Sequence, residues 1–278
     1  MNIIGITGQT GAGKDVIASR LVEKHGYVRL ALADPIKRFG LNVFGFDVIQ
    51  LWGPAKNSFD PMFSECNIRS SGVLFEPGCK LANIKRVCDQ AWGDAAVRLS
   101  SYGPMWVDSL VPTSEQEKAL NNLYFWFASI GHHYPELSPR IMLQHLGTEW
   151  GRETVSKDVW VNKLISTAEY VMRGYVYHRE TGLSEDEKTT KPKGVVVSDV
   201  RFENELAILK DVGGKLVRVT REVSDKKAKS VGIPSHPSES AQQDISSDAF
   251  DCLLQNNGSI ADLHKAVDIA AATFKHNK

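Results

Sequence analysis

The sequence has few cysteines and none in a C-x-x-C pair. The four in 278 residues are Cys66, Cys79, Cys88 and Cys252. That argues against a disulfide scaffold and fits reduced thiols in a cytosolic protein. A zinc site from Cys66, Cys79 and Cys88 with His132 or His133 is the alternative, but the spacing is wrong for it. Nor is there a charge excess: 33 basic and 33 acidic side chains give a formal net charge of zero. A protein that binds nucleic acid stably through a basic surface is therefore not expected. No apolar run is long enough to span a bilayer, so no membrane association is expected either. The apolar start is interrupted at Gly8 to Gly13 and reads as a strand, not a signal peptide. No internal repeat is visible.

What is present is an ordinary globular composition, 42% hydrophobic. Five short apolar runs recur: Asn2 to Thr7, Tyr27 to Leu32, Val195 to Asp199, Leu216 to Thr220 and Phe250 to Leu254. Nearly continuous apolar runs of this length suit strands covered on both faces. Helical patterns lie between them. Lys14 to Lys24 places Val16, Ile17, Ala18, Leu21 and Val22 on a helix that Gly26 stops, and Phe202 to Val212 leads to Gly213-Gly214. Ser259-x-x-Asp262 is a variant capping box ahead of Ile260, Leu263, Val267, Ala270 and Phe274. Strands alternating with helices imply an α/β fold: a five-stranded parallel sheet with helices on both faces.

The stretch 33–194 between the second and third strands is far longer than an ordinary crossover. It reads as mostly helical: from Ser114-x-x-Glu117 to Ile130, from Ser138-Pro139 through Trp150, and from Asp158 to Arg173. Residues 174–194 read as an exposed loop or hairpin, and residues 45–110 resist assignment. The expected organisation is a core from 1–44 and 195–278 with a helical insertion from 45–194.

The chemistry concentrates in "GQTGAGKDV", Gly8 to Val16. Gly8, Gly13 and Lys14 match G-x-x-x-x-G-K-[ST], in which backbone N–H groups and a helix N-terminus cradle phosphates. Gly8, Gly11, Ala12, Gly13 and Lys14 are thus the expected nucleotide-phosphate site. The spacing excludes a dinucleotide fingerprint. The missing hydroxyl is the oddity: Asp15 stands where Ser or Thr would ligate Mg²⁺. A carboxylate can hold Mg²⁺ directly or through water, or simply favour the helix N-terminus; the two roles are compatible. Asp199, at the end of the third strand, is the second expected metal partner, and Arg201 faces the same crevice. An Asp199–Arg201 surface pair is the plainer alternative.

Together these motifs resemble bacteriophage-type deoxynucleoside monophosphate kinases, P-loop kinases of the adenylate-kinase type. The matching segments are "GQTGAGKD" (8–15), "LALADPIK" (30–37), "SPRIMLQHLGTEWGR" (138–152) and "DVWVNKL" (158–164). They continue with "VVVSDVRFENEL" (195–206), "GGKLVRVTR" (213–221), "HPSES" (236–240) and "LLQNNGSIADL" (253–263). The G-K-D variant is usual in that group and in phosphomevalonate kinases. Residues 45–110 are longer than the family pattern, and 174–194 match nothing in it.

The resemblance implies Mg²⁺-dependent phosphoryl transfer from ATP to a deoxynucleoside monophosphate in the cytoplasm, with a homodimer allowed. Lys14, Asp15, Arg152 and Arg201 would be catalytic. Arg221 and Asn256 would join the loop in binding ATP. Asp34, at the end of the second strand, would face the acceptor with Arg140, Trp150, Arg152 and Glu239. Residues 221–243 would form a lid. Trp150 as plain core, Arg140 as a partner of nearby carboxylates and Arg152 as a cation at a helix end beyond Gly151 remain the alternatives. So does a different small-molecule kinase, of the phosphomevalonate or dephospho-coenzyme A type, or a nucleotide-sensing module.

Overall fold

The structure is a computed structural model; it describes residues 1–43, 46–57, 69–70, 73–74, 138–222 and 245–274. Its centre is a five-stranded parallel sheet. The strands are β1 (Ile3–Thr7), β2 (Tyr27–Leu30), β3 (Gly194–Val197), β4 (Lys215–Thr220) and β5 (Cys252–Gln255). Their order is β2-β3-β1-β4-β5, so β1 lies in the middle. Every residue of β1 and β3 is buried. A parallel strand has neighbours on both edges and helices on both faces, which is why these two read as unbroken apolar runs. The observed strands lie within two residues of the expected ones. From β1 the chain leaves toward β2; from the adjacent β4 it leaves toward β5. That reversal opens a crevice at the carboxyl ends of β1 and β4, where ligands of open α/β sheets bind.

Helix α1 (Lys14–His25) follows β1 and ends on Gly26, whose φ of 70° supplies the left-handed cap. The next helix in the chain, α2 (Asp34–Val43), begins four residues after β2 ends. Asp34 is therefore a first-turn helix residue, not the last residue of a strand. Among the described residues the helices that follow are α3 (Val48–Trp52) and α4 (Pro139–His145), the latter capped by Ser138, whose Oγ accepts from the Ile141 N–H. Beyond α4 the chain continues as a π-helical run, Leu146–Val155. Then come α5 (Val159–Met172), a hairpin of Tyr175–His178 with Gly182–Lys188, α6 (Glu203–Asp211) and α7 (Ile260–Thr273). The capping box read from the sequence is present at α7: Ser259 Oγ accepts from the Asp262 N–H, and Asp262 accepts from the Ser259 N–H.

Gly151 does not end a helix as expected; the run continues to Val155. A Cβ at Gly151 would lie 2.4 Å from the Trp160 ring. The glycine permits close approach of a ring, and it is not a stop. The helix from Ser114 and the lid residues 223–243 lie outside the described residues, as do the cysteine–histidine zinc candidates.

The chain divides into two compact units. One comprises Met1–Leu32, Leu164–His178 and Leu183–Lys278; the other comprises Ala33–Lys163 and Arg179–Gly182. These boundaries differ from the 44/45 and 194/195 divisions read from the sequence, because α2 groups with the inserted residues and most of α5 with the sheet. Among the described residues no helix is long and apolar enough to cross a membrane.

In the first unit, α1 and α7 share one apolar cluster through Ile17, Ala18 and Leu21 and Leu263, Val267 and Ala271. A charged clamp reinforces it. Asp268 on α7 receives hydrogen bonds from Arg20 (Nη2 2.7 Å), Lys24 (2.6 Å) and His25 (2.7 Å) on α1. The Arg20 guanidinium, then Lys24 and His25, hold the Asp268 carboxyl far below the usual carboxylate range. A depressed native pKa contributes stability above the unfolded value of about 4, and that stability is lost as pH falls below it. Asp268→Asn should therefore lower the melting temperature at pH 7. The gap from wild type should shrink as the pH is lowered through 4 and toward 2, as followed by circular dichroism. A gap constant over that range would mean the clamp's charge contributes nothing.

Candidate active site

The glycine-rich turn between β1 and α1 is built from three residues at positive φ: Gly8 (151°), Gly11 (82°) and Gly13 (109°). Gly8 also lies against β4, where a Cβ would come within 2.3 Å of the Val219 carbonyl oxygen. Ala12 is fully buried and pins the turn: its N–H donates to the Gln9 carbonyl (3.1 Å). Its own carbonyl accepts from Asn256 Nδ2 (2.9 Å). Asn256, the residue after β5, thus braces the loop from the far side of β4, and its N–H donates to Thr220 at the end of β4 (2.8 Å). The Lys14 ammonium folds back over the turn and donates to the Gly8 and Gln9 carbonyls, the latter at 2.8 Å. Gln9 Oε1 is buried with no hydrogen-bond partner among the described residues. A cation and a helix N-terminus therefore meet at one turn.

The acidic candidates lie in the first turn of α1 and just beyond β3. Asp15 lies in the first turn of α1 with 82% of its side chain exposed, and its Oδ1 accepts from the Arg29 guanidinium. Arg29, on β2, also donates to Ser198 Oγ through Nε (3.1 Å) and Nη2 (2.7 Å). Asp199 Oδ1 accepts from the Leu32 N–H (2.9 Å), which ties the segment after β2 to the segment after β3. Arg201 is half-buried; its N–H and that of Phe202 donate to Glu205 Oε2 (2.8 and 3.0 Å), capping α6. Arg221 is exposed just beyond β4, and Asn257 fastens the following residue, Glu222, by two hydrogen bonds (3.0 and 3.1 Å). Gly8, Gly11, Ala12, Gly13, Lys14, Asp15, Asp199, Arg201, Arg221 and Asn256 all belong to the first unit.

Asp34, Arg140, Trp150 and Arg152 belong to the second. Asp34 is 5% exposed and accepts from Trp52 Nε1 (3.1 Å). The Trp52 ring has Lys37 Nζ 5.3 Å and the Arg179 guanidinium 5.6 Å from its centroid. Arg38 donates to the Arg179 carbonyl (3.0 Å). Burial, then the nearby Arg38 charge, pushes the Lys163 ammonium down to about 8. Arg140 is half-buried in the first turn of α4. Arg152 is half-buried in the last turn of the π-helical run. Of Trp150 the structure describes the backbone, in the same run; π-helical turns are rare and frequent at functional sites. Glu239 lies outside the described residues.

Sequence reasoning missed Arg29, Ser198, Trp52 and Lys163. A signal for Arg29 was available: "YVRL" places one arginine in an otherwise apolar strand.

A central parallel strand running through a glycine-rich turn into a helix, with lysine at the helix start, is the P-loop arrangement of a phosphate-binding α/β protein. No family model matches the chain. A protein of Acanthamoeba polyphaga mimivirus, provisionally named a deoxynucleotide monophosphate kinase, is 23% identical over 271 residues, covering 96% of this chain and 94% of that protein. The dephospho-CoA kinase of Campylobacter jejuni aligns with 98% of this chain at 13% identity and a TM-score of 0.36, over 97% of its own length.

Proposed function

We propose that the protein transfers the γ-phosphoryl group of ATP to a deoxynucleoside 5′-monophosphate, giving ADP and a deoxynucleoside diphosphate for DNA precursor synthesis in the cytoplasm. The observation that carries this reading is the Lys14 ammonium held over the Gly8–Gly13 turn at the start of α1. The similarity to the mimivirus protein, which extends over nearly the whole chain, supports the choice of acceptor.

In this reading the turn's N–H groups and the α1 N-terminus bind the ATP phosphates. Lys14 exchanges its loop carbonyls for β- and γ-phosphate oxygens. An oxygen of the acceptor's 5′-phosphate forms the new bond to the γ-phosphorus as the bond to the β-phosphate oxygen breaks. That acceptor is already anionic, so no protein base or nucleophile is needed; positioning and charge do the work. Arg201 and Arg152 supply cations to the charge that develops. Arg221 and Asn256 lie on the ATP side. Asp34, Arg140, Trp150, Arg152 and Glu239 hold the acceptor.

Asp15 and Asp199 are hard oxygen donors, and Asp15, in the first turn of α1, is open enough to meet a hydrated ion, so their chemistry suits Mg²⁺ carried on the nucleotide. When bound, the ion would neutralise charge on the transferring phosphate.

Coupled ADP release over a panel of deoxynucleoside monophosphates, phosphomevalonate and dephospho-coenzyme A tests the proposal. Turnover with one or more of the nucleotides is the expected result. Turnover with a non-nucleotide acceptor alone, or tight ATP binding with no turnover on any acceptor, would overturn it.

A further inference from the structure

Arg29 is tied to two other elements. Its Nη2 donates both to Asp15 Oδ1 on α1 and to Ser198 Oγ at the end of β3, and its Nε also donates to Ser198. Ser198 is 4% exposed, so the guanidinium is anchored to a fixed point. The pair it makes is open, with 40% of the Arg29 side chain and 82% of the Asp15 side chain exposed. An ion pair that open adds little to stability. Its position gives it another use. A carboxylate directly after the loop lysine repels nucleotide phosphates and attracts divalent cations; a guanidinium seated on it cancels both effects.

We propose that Arg29 is a positioning residue that serves as the resident countercharge of Asp15 in the nucleotide-free protein, so that a divalent cation enters with the nucleotide and not ahead of it. This deepens the proposed function and rests on it. Arg29 keeps the empty loop receptive to polyphosphate. It yields the carboxylate when a cation arrives already bridged to phosphates, because the combined ligand brings its own counter-anion.

The test is direct Mn²⁺ binding to nucleotide-free protein, followed by electron paramagnetic resonance of the free ion. Wild type should bind weakly. Arg29→Gln should bind about tenfold more tightly, as expected when a cation is taken off a carboxylate. Arg29→Gln combined with Asp15→Asn should return to the wild-type level, because the gain requires the bared carboxylate. Arg29→Lys, which keeps the charge, should stay near wild type. Ser198→Ala, which loosens the anchor while keeping the charge, should fall between and serves if the Gln variant folds poorly. In a second titration, ATP in EDTA should bind Arg29→Gln more weakly than wild type. An unchanged Mn²⁺ affinity in both Arg29→Gln and Ser198→Ala, or a gain that persists without Asp15, would overturn the proposal. The failure of wild type to bind ATP at all would instead strike the proposed function, and the Mn²⁺ series would still report on the pair.

Discussion

Replacing Lys14 by alanine is expected to lower turnover by about 10²–10³-fold, the usual consequence of removing one cation or donor from a developing phosphate charge. The fold should survive. Lys14 is half-buried at the first position of α1, and its ammonium donates to the backbone carbonyls of Gly8 and Gln9. Losing such contacts at a partly solvated loop costs about 1 kcal/mol each, since water can replace the donor. The measurement is kcat at saturating ATP and acceptor, with circular dichroism confirming the native spectrum. Turnover close to wild type in a folded Lys14→Ala protein would remove the phosphate-binding role of the loop.

The largest loss of stability should come from Gly8→Ala. A Cβ there would lie 2.3 Å from the Val219 carbonyl oxygen and 2.9 Å from Val219 Cγ1, at a φ of 151°. The obstruction is backbone, and that backbone is fixed by the β1–β4 ladder, in which Ile6 opposes Val217 and Thr7 opposes Arg218. Relief requires prising apart two central strands. The expected cost is about 3 kcal/mol or more, combining backbone strain with a steric clash. Gly26→Ala is the control. It also has positive φ, 70°, but its Cβ would meet only Lys193 side-chain carbons at 3.7 and 3.8 Å. Strain alone should then cost about 1 kcal/mol. Thermal melts of the two variants should differ widely; equal melting temperatures would show that the β1–β4 contact at Gly8 is not as tight as described.

The parts legible in the sequence are those whose chemistry is local. Strands β1 and β3 stood out because burial on both faces leaves no polar alternation to blur them, and β3 is Gly-Val-Val-Val without interruption. The loop and the Ser259–Asp262 cap are patterns of a few adjacent residues. What stayed hidden depends on strand order. Arg29 meets Ser198 because β2 pairs with β3, with Arg29 opposite Val196, although the two strands are far apart in the chain. The Asp268 clamp joins residues 243 to 248 positions apart. Gly151 misled because a glycine near a helix end and a glycine under an aromatic ring look alike in sequence. Asp34 misled because an apolar run, "LAL", carries past the end of β2 at Leu30.

The fate of the γ-phosphoryl group tests the central claim most directly. ATP labelled at the γ-phosphate is incubated with the protein, Mg²⁺ and each deoxynucleoside monophosphate in turn, and the products are separated by ion-exchange chromatography. The account predicts label in the β-phosphate of a deoxynucleoside diphosphate, formed in step with ADP and about 10²–10³-fold more slowly in Lys14→Ala. Label that remains on ATP, or passes only to inorganic phosphate at a rate independent of the acceptor, would contradict it.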